Sequence, residues 1–202
     1  MKAIAKLLSA VAALCMLFSC SVFNKTASSV GSTAGSIFRG GVKTFTYYNL
    51  PENVQDLQSL QEANRKDAYG VAAMTVTALC RYETNPEECF KMLNWLKGEE
   101  PLTSFEKEFL RDRLAGKGYK ARSYFAGATP ENGYTPSMPY KLTPVSNPYT
   151  FKEDGWATVS LRSGHDEKLR AVKLRQKKST GEWFLNDIQC VDDDIPAPVN
   201  KK

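Results

Sequence analysis

The sequence DAYGVAAMTVTALCR, residues 67–81, marks the centre of the fold. Apolar side chains recur in it at intervals of three and four residues, which is the spacing of one face of an α-helix. Ala73, Met74 and Ala78 make the opposite flank apolar as well. A helix that is apolar almost all round is buried in the core of a domain. We therefore expect this segment to form a central, buried helix.

Three further helices are predicted around this segment. Residues 54–63 have the pattern of a short amphipathic helix. Asn85 as a cap and Pro86 at the first helical position predict the start of another. A capping box from Thr103 to Glu106 predicts the start of the last. Its inward face is expected to consist of Phe105, Phe109, Leu110 and Leu114.

Alternating apolar and polar residues predict strands at both ends of the folded region. Residues 43–48 have this pattern before the central helix. Residues 156–162, 169–176 and 182–188 repeat it at the other end, separated by turn sequences. Helices followed by antiparallel strands favour an α+β fold. We expect about four N-terminal helices packed on a curved C-terminal antiparallel sheet of three to five strands.

A long ordered loop is predicted between the helices and the last strands. Residues 119–149 contain five Tyr and five Pro and have no helical periodicity. Aromatic rings interleaved with amide and carboxylate groups can stack on and hydrogen-bond a sugar or a peptide. The same rings can instead pin the loop to the sheet, and we favour this second interpretation. The candidate ligand residues are Tyr124, Phe125, Asn132, Tyr134 and Tyr140.

The amino terminus has the features of an export signal that ends in a lipid attachment site. Two lysines precede an uncharged apolar run at residues 7–18, as in a secretory signal peptide. A bilayer span takes about 20 apolar residues, so this run is too short for a transmembrane helix. Ser19 and Cys20 close the run and resemble the lipobox of bacterial lipoproteins. We predict a signal peptide over residues 1–19 and lipidation of Cys20.

The rest of the chain divides into a tether, one domain and a tail. The segment up to residue 41 is rich in Ser, Gly and Ala, which is typical of a flexible tether. Residues 42–190 are expected to form a single domain, and residues 191–202 a polar, frayed tail. The chain is accordingly expected in the bacterial cell envelope, outside the cytoplasm. It would be held at a membrane by the lipid.

Several kinds of chemistry lack their usual motifs. The formal net charge of +5 is too small to indicate a nucleic-acid partner. The single histidine, His165, lies in a predicted turn, where a solvated side chain is expected. The sequence has no HExxH or CxxC motif for a metal and no glycine-rich phosphate loop for a nucleotide. We therefore expect no metal site and no cofactor, and we assign no catalytic residue.

The cysteines of the predicted domain are odd in number. They are Cys80, Cys89 and Cys190. A helical hairpin around residues 85–86 would bring Cys80 and Cys89 within disulfide range. Both can equally be small buried apolar side chains without a bond. The sequence leaves these two alternatives open.

A predicted strand near the C-terminus is basic on its outward face. Lys173 and Arg175 lie on that face, and residues 162–178 are rich in lysine and arginine throughout. A solvated sheet face is one interpretation. The other is a contact surface for an anionic envelope polymer or an acidic partner.

The loop also carries a resemblance. Residues 127–140 read GATPENGYTPSMPY, and residues 92–98 read MLNWLKG. Together with Gly155-Trp156 and Trp183-Phe184-Leu185, they resemble an uncharacterised bacterial family that shares a GATPxNxYTPxxPY loop. That family is a domain of unknown function. The resemblance therefore implies no activity and gives no site residues.

These observations predict a lipid-anchored envelope protein with a non-catalytic domain. The domain is expected to bind or scaffold an envelope glycan, an anionic polymer or a protein partner. The alternative is a hydrolase-like envelope enzyme with a pocket between helices and sheet. Asp112, Glu131 and Asp187 are its candidate acid and base residues.

Overall fold

The computed structural model describes residues 41–191 and 194–199. The predicted signal peptide, the predicted lipidation site at Cys20 and all but the last residue of the predicted tether lie outside these residues. No helix among the described residues is long and apolar enough to cross a membrane.

Within the described residues the chain forms five α-helices. Two of them begin at the predicted caps, Asn85 and Thr103. Asp67 accepts a hydrogen bond from the N–H of Tyr69, and Asn85 accepts one from the N–H of Glu88. Thr103 begins its helix with the predicted capping box. The helices are α1 (Val54–Ser59), α2 (Ala68–Cys80), α3 (Pro86–Lys97), α4 (Ser104–Leu114) and α5 (Tyr119–Arg122).

Helix α2 is the buried centre of the domain, as predicted. All residues from 70 to 79 are buried, and α2 packs against α3, α5 and the C-terminal sheet. Its two buried hydroxyls are satisfied within the helix. Thr75 donates to the carbonyl of Val71 and Thr77 to that of Met74, both at 2.9 Å.

The described strands form two antiparallel sheets. Strand β1 (Phe45–Tyr47) pairs with β2 (Tyr140–Leu142). The second sheet has the order β3–β4–β5 and covers α2 with its apolar face. The structure thus confirms an α+β fold with helices ahead of a C-terminal antiparallel sheet. Strands β3, β4 and β5 are Trp156–Arg162, Leu169–Lys177 and Glu182–Ile188.

The long loop contains short elements that the sequence did not reveal. Helix α5, a 3-10 turn at Pro130–Asn132 and strand β2 all lie between residues 119 and 149. Elements of three or four residues are too short to produce a periodic pattern. Strand β2 forms because β1, almost a hundred residues earlier, supplies its hydrogen-bond partners.

The prediction for the inward face of α4 was wrong at one position. Phe105 is 80% exposed, whereas Leu110 and Leu114 are buried. A helix turns by about 100° per residue, so Phe105 points about 140° away from Leu110. The two leucines set the packed face, and Phe105 lies outside it.

The C-terminal segment is not a frayed tail in the part that the structure describes. Ile195 is only 1% exposed. The carbonyl of Pro196 accepts a hydrogen bond from Tyr134 Oη at 3.1 Å, and the N–H of Val199 donates to Pro130 at 3.0 Å. Residues 194–199 therefore lie on the domain and contact the long loop. Composition alone suggested solvent exposure, because these partners lie 62 and 69 residues away in the sequence.

A buried arginine joins this segment to the β3–β4 turn. Arg170 on β4 is 2% exposed. Its guanidinium donates to both carboxylate oxygens of Asp166 and, through Nε, to Asp194, each at 2.9 Å. It also donates to Ser163 Oγ at 3.3 Å. We call Arg170, Asp166 and Asp194 the Arg170 cluster, and it fixes turn and C-terminal segment together.

The Arg170 cluster predicts a loss of stability in acid. Hydrogen bonds from Arg170 lower the pKa of Asp194 from 3.8 to about 2. A carboxylate with a lowered native pKa stabilises the fold above its unfolded pKa, and that contribution disappears as pH falls through the native value. We expect Asp194→Asn to be less stable than the parent chain at pH 6, with the difference shrinking between pH 4 and pH 2. Urea unfolding at several pH values measures this, and a difference independent of pH would contradict it.

Candidate functional site

Three of the predicted ligand residues are buried, which corrects their assignment to a ligand surface. Tyr124, Phe125 and Tyr134 are 5%, 2% and 0% exposed. Tyr124 Oη donates to the carbonyl of Cys190. The Tyr134 ring stacks on Tyr119 with centroids 5.5 Å apart. These rings pin the long loop to the core.

Asn132 and Tyr140 also hold the loop. The side-chain oxygen of Asn132 accepts from the N–H groups of Thr129 and Thr135, both at 3.0 Å. Its amide nitrogen donates to the carbonyls of Gly127 and Thr135. Tyr140 is half-buried and packs edge-on against Phe125, with ring centroids 5.8 Å apart. The hydrogen bonds of the Asn132 amide are thus used within the loop.

Lys173 and Arg175 do lie on the outer face of the sheet. In the register of β3 and β4, Thr158 stands opposite Lys173, and Trp156 stands opposite Arg175. Directly opposed residues of an antiparallel pair share a face. Buried Ala157 occupies the other face. The structure therefore places a tryptophan beside the two predicted cations.

A groove of about 490 Å³ lies beside this tryptophan. Trp156 is 40% exposed, and Tyr149 is 71% exposed. We call it the Tyr149–Trp156 groove. Its lining consists of Tyr149, Thr150, Lys152, Glu153, Trp156 and Thr158.

Local hydrogen bonds hold the loop that presents Tyr149. The side-chain oxygen of Asn147 accepts from the N–H of Tyr149 at 2.8 Å, and Thr150 Oγ1 accepts from the N–H of Asn147 at 2.9 Å. The carbonyl of Thr150 accepts from the N–H of Thr158 on β3 at 2.9 Å. The aromatic side chain therefore stands on a fixed backbone rather than on a free loop end.

The charges around the groove are mixed. Lys173 lies 3.7 Å from Asp187, and Arg175 lies 3.3 Å from Glu100, whose side chain is 66% exposed. The Lys173–Asp187 pair is exposed and worth at most about 1 kcal/mol, so Asp187 can give way to an anionic ligand. Arg175 is mostly buried and donates to the carbonyl of Lys97 at 2.8 Å, which holds it away from the groove. Lys152 adds a second cation, 5.8 Å from the centre of the Tyr149 ring. The outer face thus combines flat apolar rings with cations.

Asp112, Glu131 and Asp187 are the candidate acid and base residues of a hydrolase-like enzyme. The structure does not bring them together at a cavity large enough for a substrate. The Asp112 side chain is 75% exposed on α4, and Glu131 lies in the 3-10 turn of the long loop. Asp187 shares a cavity with Glu106, but that cavity is about 30 Å³, which is room for about one water molecule. Burial opposes ionisation of Glu106, and hydrogen bonds from Lys97 and Thr103 outweigh it and lower its pKa. Glu106 therefore serves the cap of α4.

Cys80 and Cys89 are free thiols in the structure. Burial raises the pKa of Cys80 to about 12 and that of Cys89 further, with Cys80 adding to the effect on Cys89. Both thiols stay protonated at neutral pH. The disulfide between them stays a prediction.

His165 has an exposed position, and no metal cluster forms in the described part of the chain. Its Nε2 lies 3.9 Å from Asp166 Oδ2 in the β3–β4 turn. Among the described residues, no group of three or more His, Cys, Asp and Glu side chains is placed to hold a metal ion.

Tyr149 and Trp156 are the site residues that the sequence interpretation missed. The sequence did indicate the position of Trp156. Side chains alternate between the two faces of a strand, so inward-facing Ala157 and Val159 put Trp156 on the outer face. An outward tryptophan on a strand is unusual for a solvated sheet face. Tyr149 gave no comparable signal, since its position depends on a loop conformation.

Comparison with known proteins gives a family and nothing beyond it. No curated protein and no solved structure matches the chain. A family described as a domain of unknown function, DUF6935, matches residues 49–198. This span includes every helix of the domain and strands β2 to β5. The predicted membership of an uncharacterised family is confirmed, and the chain belongs to the DUF6935 family.

Proposed function

We propose that the domain is a non-catalytic binding module for an acidic envelope glycan and that the glycan binds in the Tyr149–Trp156 groove. The observation that carries this proposal is the pair of exposed aromatic side chains on a fixed backbone. Large aromatic side chains are normally buried, and exposed ones next to a groove mark a binding surface.

The groove suits a sugar for three reasons. The faces of Tyr149 and Trp156 offer flat apolar surface for the C–H face of a pyranose ring. Glu153 and the hydroxyl of Thr158 are positioned in the lining as hydrogen-bond partners for sugar hydroxyls. Lys152 and Lys173 supply cations for the carboxylate or phosphate groups of an acidic polymer.

The location of the protein follows the expectation from its amino terminus. We infer export through the signal peptide, lipidation at Cys20 and anchoring of the domain to an envelope membrane by a tether of about 20 residues, which reaches on the order of 25 Å. A module on such a tether can bind a polymer close to the membrane surface.

Two finer features of the fold belong to the same proposal. The three-stranded sheet is expected to be curved, because antiparallel strands twist and the irregular register between Lys173 and Leu174 adds bending. The GATPxNxYTPxxPY loop is expected to be the hallmark of the family, since its residues hold the loop in place rather than contact a ligand.

Trp156→Ala is expected to weaken glycan binding by at least about tenfold, which corresponds to about 1.4 kcal/mol. Loss of the ring removes the stacking surface, while a half-exposed position leaves the fold intact. Isothermal titration of the full chain with polygalacturonate, peptidoglycan fragments and neutral dextran measures this. Phe105→Ala is the matched control, because it removes an 80% exposed ring from α4. Equal binding by both variants would contradict the assignment of the groove.

A further inference from the structure

A second groove runs along the free edge of β1. Cavities of about 410 and 570 Å³ share Thr46 and together follow the strand. We call them the β1-edge groove. One wall is residues 43–48, and the other is formed by residues of α1 and the 3-10 turn that follows it. The second wall includes Asp56, Ser59, Leu60, Gln61, Glu62 and Asn64.

The backbone of β1 is unpaired on this side. The register pairs Phe45 with Leu142 and Tyr47 with Tyr140, and the N–H of Lys43 donates to Pro144 at 3.3 Å. Hydrogen bonds of an antiparallel pair involve alternate residues. The N–H and C=O groups of Thr44 and Thr46 therefore point away from β2, into the groove. No hydrogen bond to these groups is made by the residues that the structure describes.

The groove has the opposite charge to the chain as a whole. Four carboxylates line it, and the lining contains one cation, Lys43, which pairs with Asp67. Glu52 lies 3.8 Å from Arg81, outside the lining. The whole chain has a formal net charge of +5. The surplus of negative charge makes the groove complementary to lysine and arginine. The four carboxylates are Glu52, Asp56, Glu62 and Asp67.

The wall of the groove also contains an unpartnered polar atom. Tyr47 is 4% exposed, and its hydroxyl is buried with no hydrogen-bond partner among the described residues. Burial, and then the charge of Glu62, raise the pKa of Tyr47, so the hydroxyl remains a donor. A buried donor without an acceptor is destabilising.

We propose that the β1-edge groove binds an extended basic segment of a partner protein, which adds to the outer edge of β1 as a further strand. Main-chain hydrogen bonds to Thr44 and Thr46 give the affinity in this mode of recognition, and alternate side chains give the specificity. Lysine or arginine at alternate positions would face Glu62 and Asp67. A second copy fits less well, because two identical edges would oppose the same carboxylates. This site is independent of the proposed glycan site.

The test uses the full chain and a short fluorescent peptide in which lysine and valine alternate. We expect saturable binding by fluorescence anisotropy, and no binding of the peptide in which glutamate replaces lysine. Glu62→Lys should weaken binding by at least about tenfold, because it reverses a charge in the groove. Glu108→Lys is the matched control, since Glu108 is an exposed acid on α4 with a 76% exposed side chain. It should bind like the parent chain.

Hydrogen exchange then locates the bound peptide. The amides of Thr44 and Thr46 should exchange more slowly when the peptide is bound, while those of the β5 edge should not change. Equal binding by Glu62→Lys and Glu108→Lys would overturn the proposal. Slow exchange at Thr44 and Thr46 without peptide would overturn it too, because the edge would already be covered by this chain or by a second copy. An absence of binding up to about 1 mM peptide would also overturn the proposal. It would mean a binding free energy weaker than about −4 kcal/mol.

Discussion

Replacing Gly164 with alanine is expected to lower the free energy of unfolding by about 3 kcal/mol. An added Cβ would lie 1.7 Å from the carbonyl oxygen of Ala128 and 2.9 Å from its carbonyl carbon. These are backbone atoms of the long loop, which cannot swing aside as a side chain can. The N–H of Gly164 also donates to the carbonyl of Ser123 at 2.8 Å. The turn and the loop must therefore separate to admit a methyl group.

Urea unfolding followed by circular dichroism measures this loss. Gly116→Ala is the control, because Gly116 has φ +66° and no atom within 4 Å of its added Cβ. It is expected to cost only about 1 kcal/mol, the strain of a left-handed backbone. If Gly164→Ala were no more destabilising than Gly116→Ala, the close approach of turn and loop would be wrong.

Replacing Arg170 with methionine is the second large effect, with an expected loss of about 3 kcal/mol. The guanidinium joins β4 to the β3–β4 turn, through Asp166 and Ser163, and to the C-terminal segment, through Asp194. Methionine replaces the aliphatic part of the side chain and removes these bonds. Both aspartates then lose their shared cation, and Asp194 keeps its exposed partner Lys168. Their 32% side-chain exposure keeps the loss at the lower end of the range for a broken buried pair.

Arg162→Met provides the comparison for Arg170→Met. Arg162 pairs with Glu167 at 2.6 Å, but the two side chains are 54% and 83% exposed. Such a pair contributes at most about 1 kcal/mol. Thermal unfolding of both variants should show a much larger decrease for Arg170→Met. Similar decreases would mean that the Arg170 cluster does not carry the C-terminal segment.

The parts of the fold that the sequence predicted are those with local causes. Asn85 and Thr103 cap helices through residues three positions away. The alternation in β3, β4 and β5 follows from a sheet with one apolar face. Local hydrogen bonds and side-chain periodicity can be read along the chain.

The parts that the sequence did not predict depend on contacts between distant residues. Tyr134 is buried because Tyr119 and Pro196 enclose it, and Arg170 is buried because Asp194 reaches it from the C-terminal segment. Strand β2 exists through its pairing with β1. Composition describes such residues as surface residues, since tyrosine, arginine and proline are common there. Their burial follows from the assembled fold.

The residues of the candidate site also fall into those that the sequence predicted and those that it did not. The cations Lys173 and Arg175 were predicted on an outward face, and the strand register places them there. The aromatic residues of the loop were offered as ligand contacts, and burial assigns most of them to packing. Tyr149 and Trp156 take their place because the Asn147 turn and the register of β3 expose them together.

The most direct test of the glycan proposal is a titration of the full chain with polygalacturonate, followed by the indole N–H resonances in NMR spectra. The chain has three tryptophans, so each resonance can be assigned by substitution. We predict a saturable shift of the Trp156 indole, with Trp95 and Trp183 unchanged because both are partly buried against the core. Backbone shifts should cluster at Tyr149, Thr158 and Lys173. Saturable binding that leaves the Trp156 resonance unmoved would contradict the account.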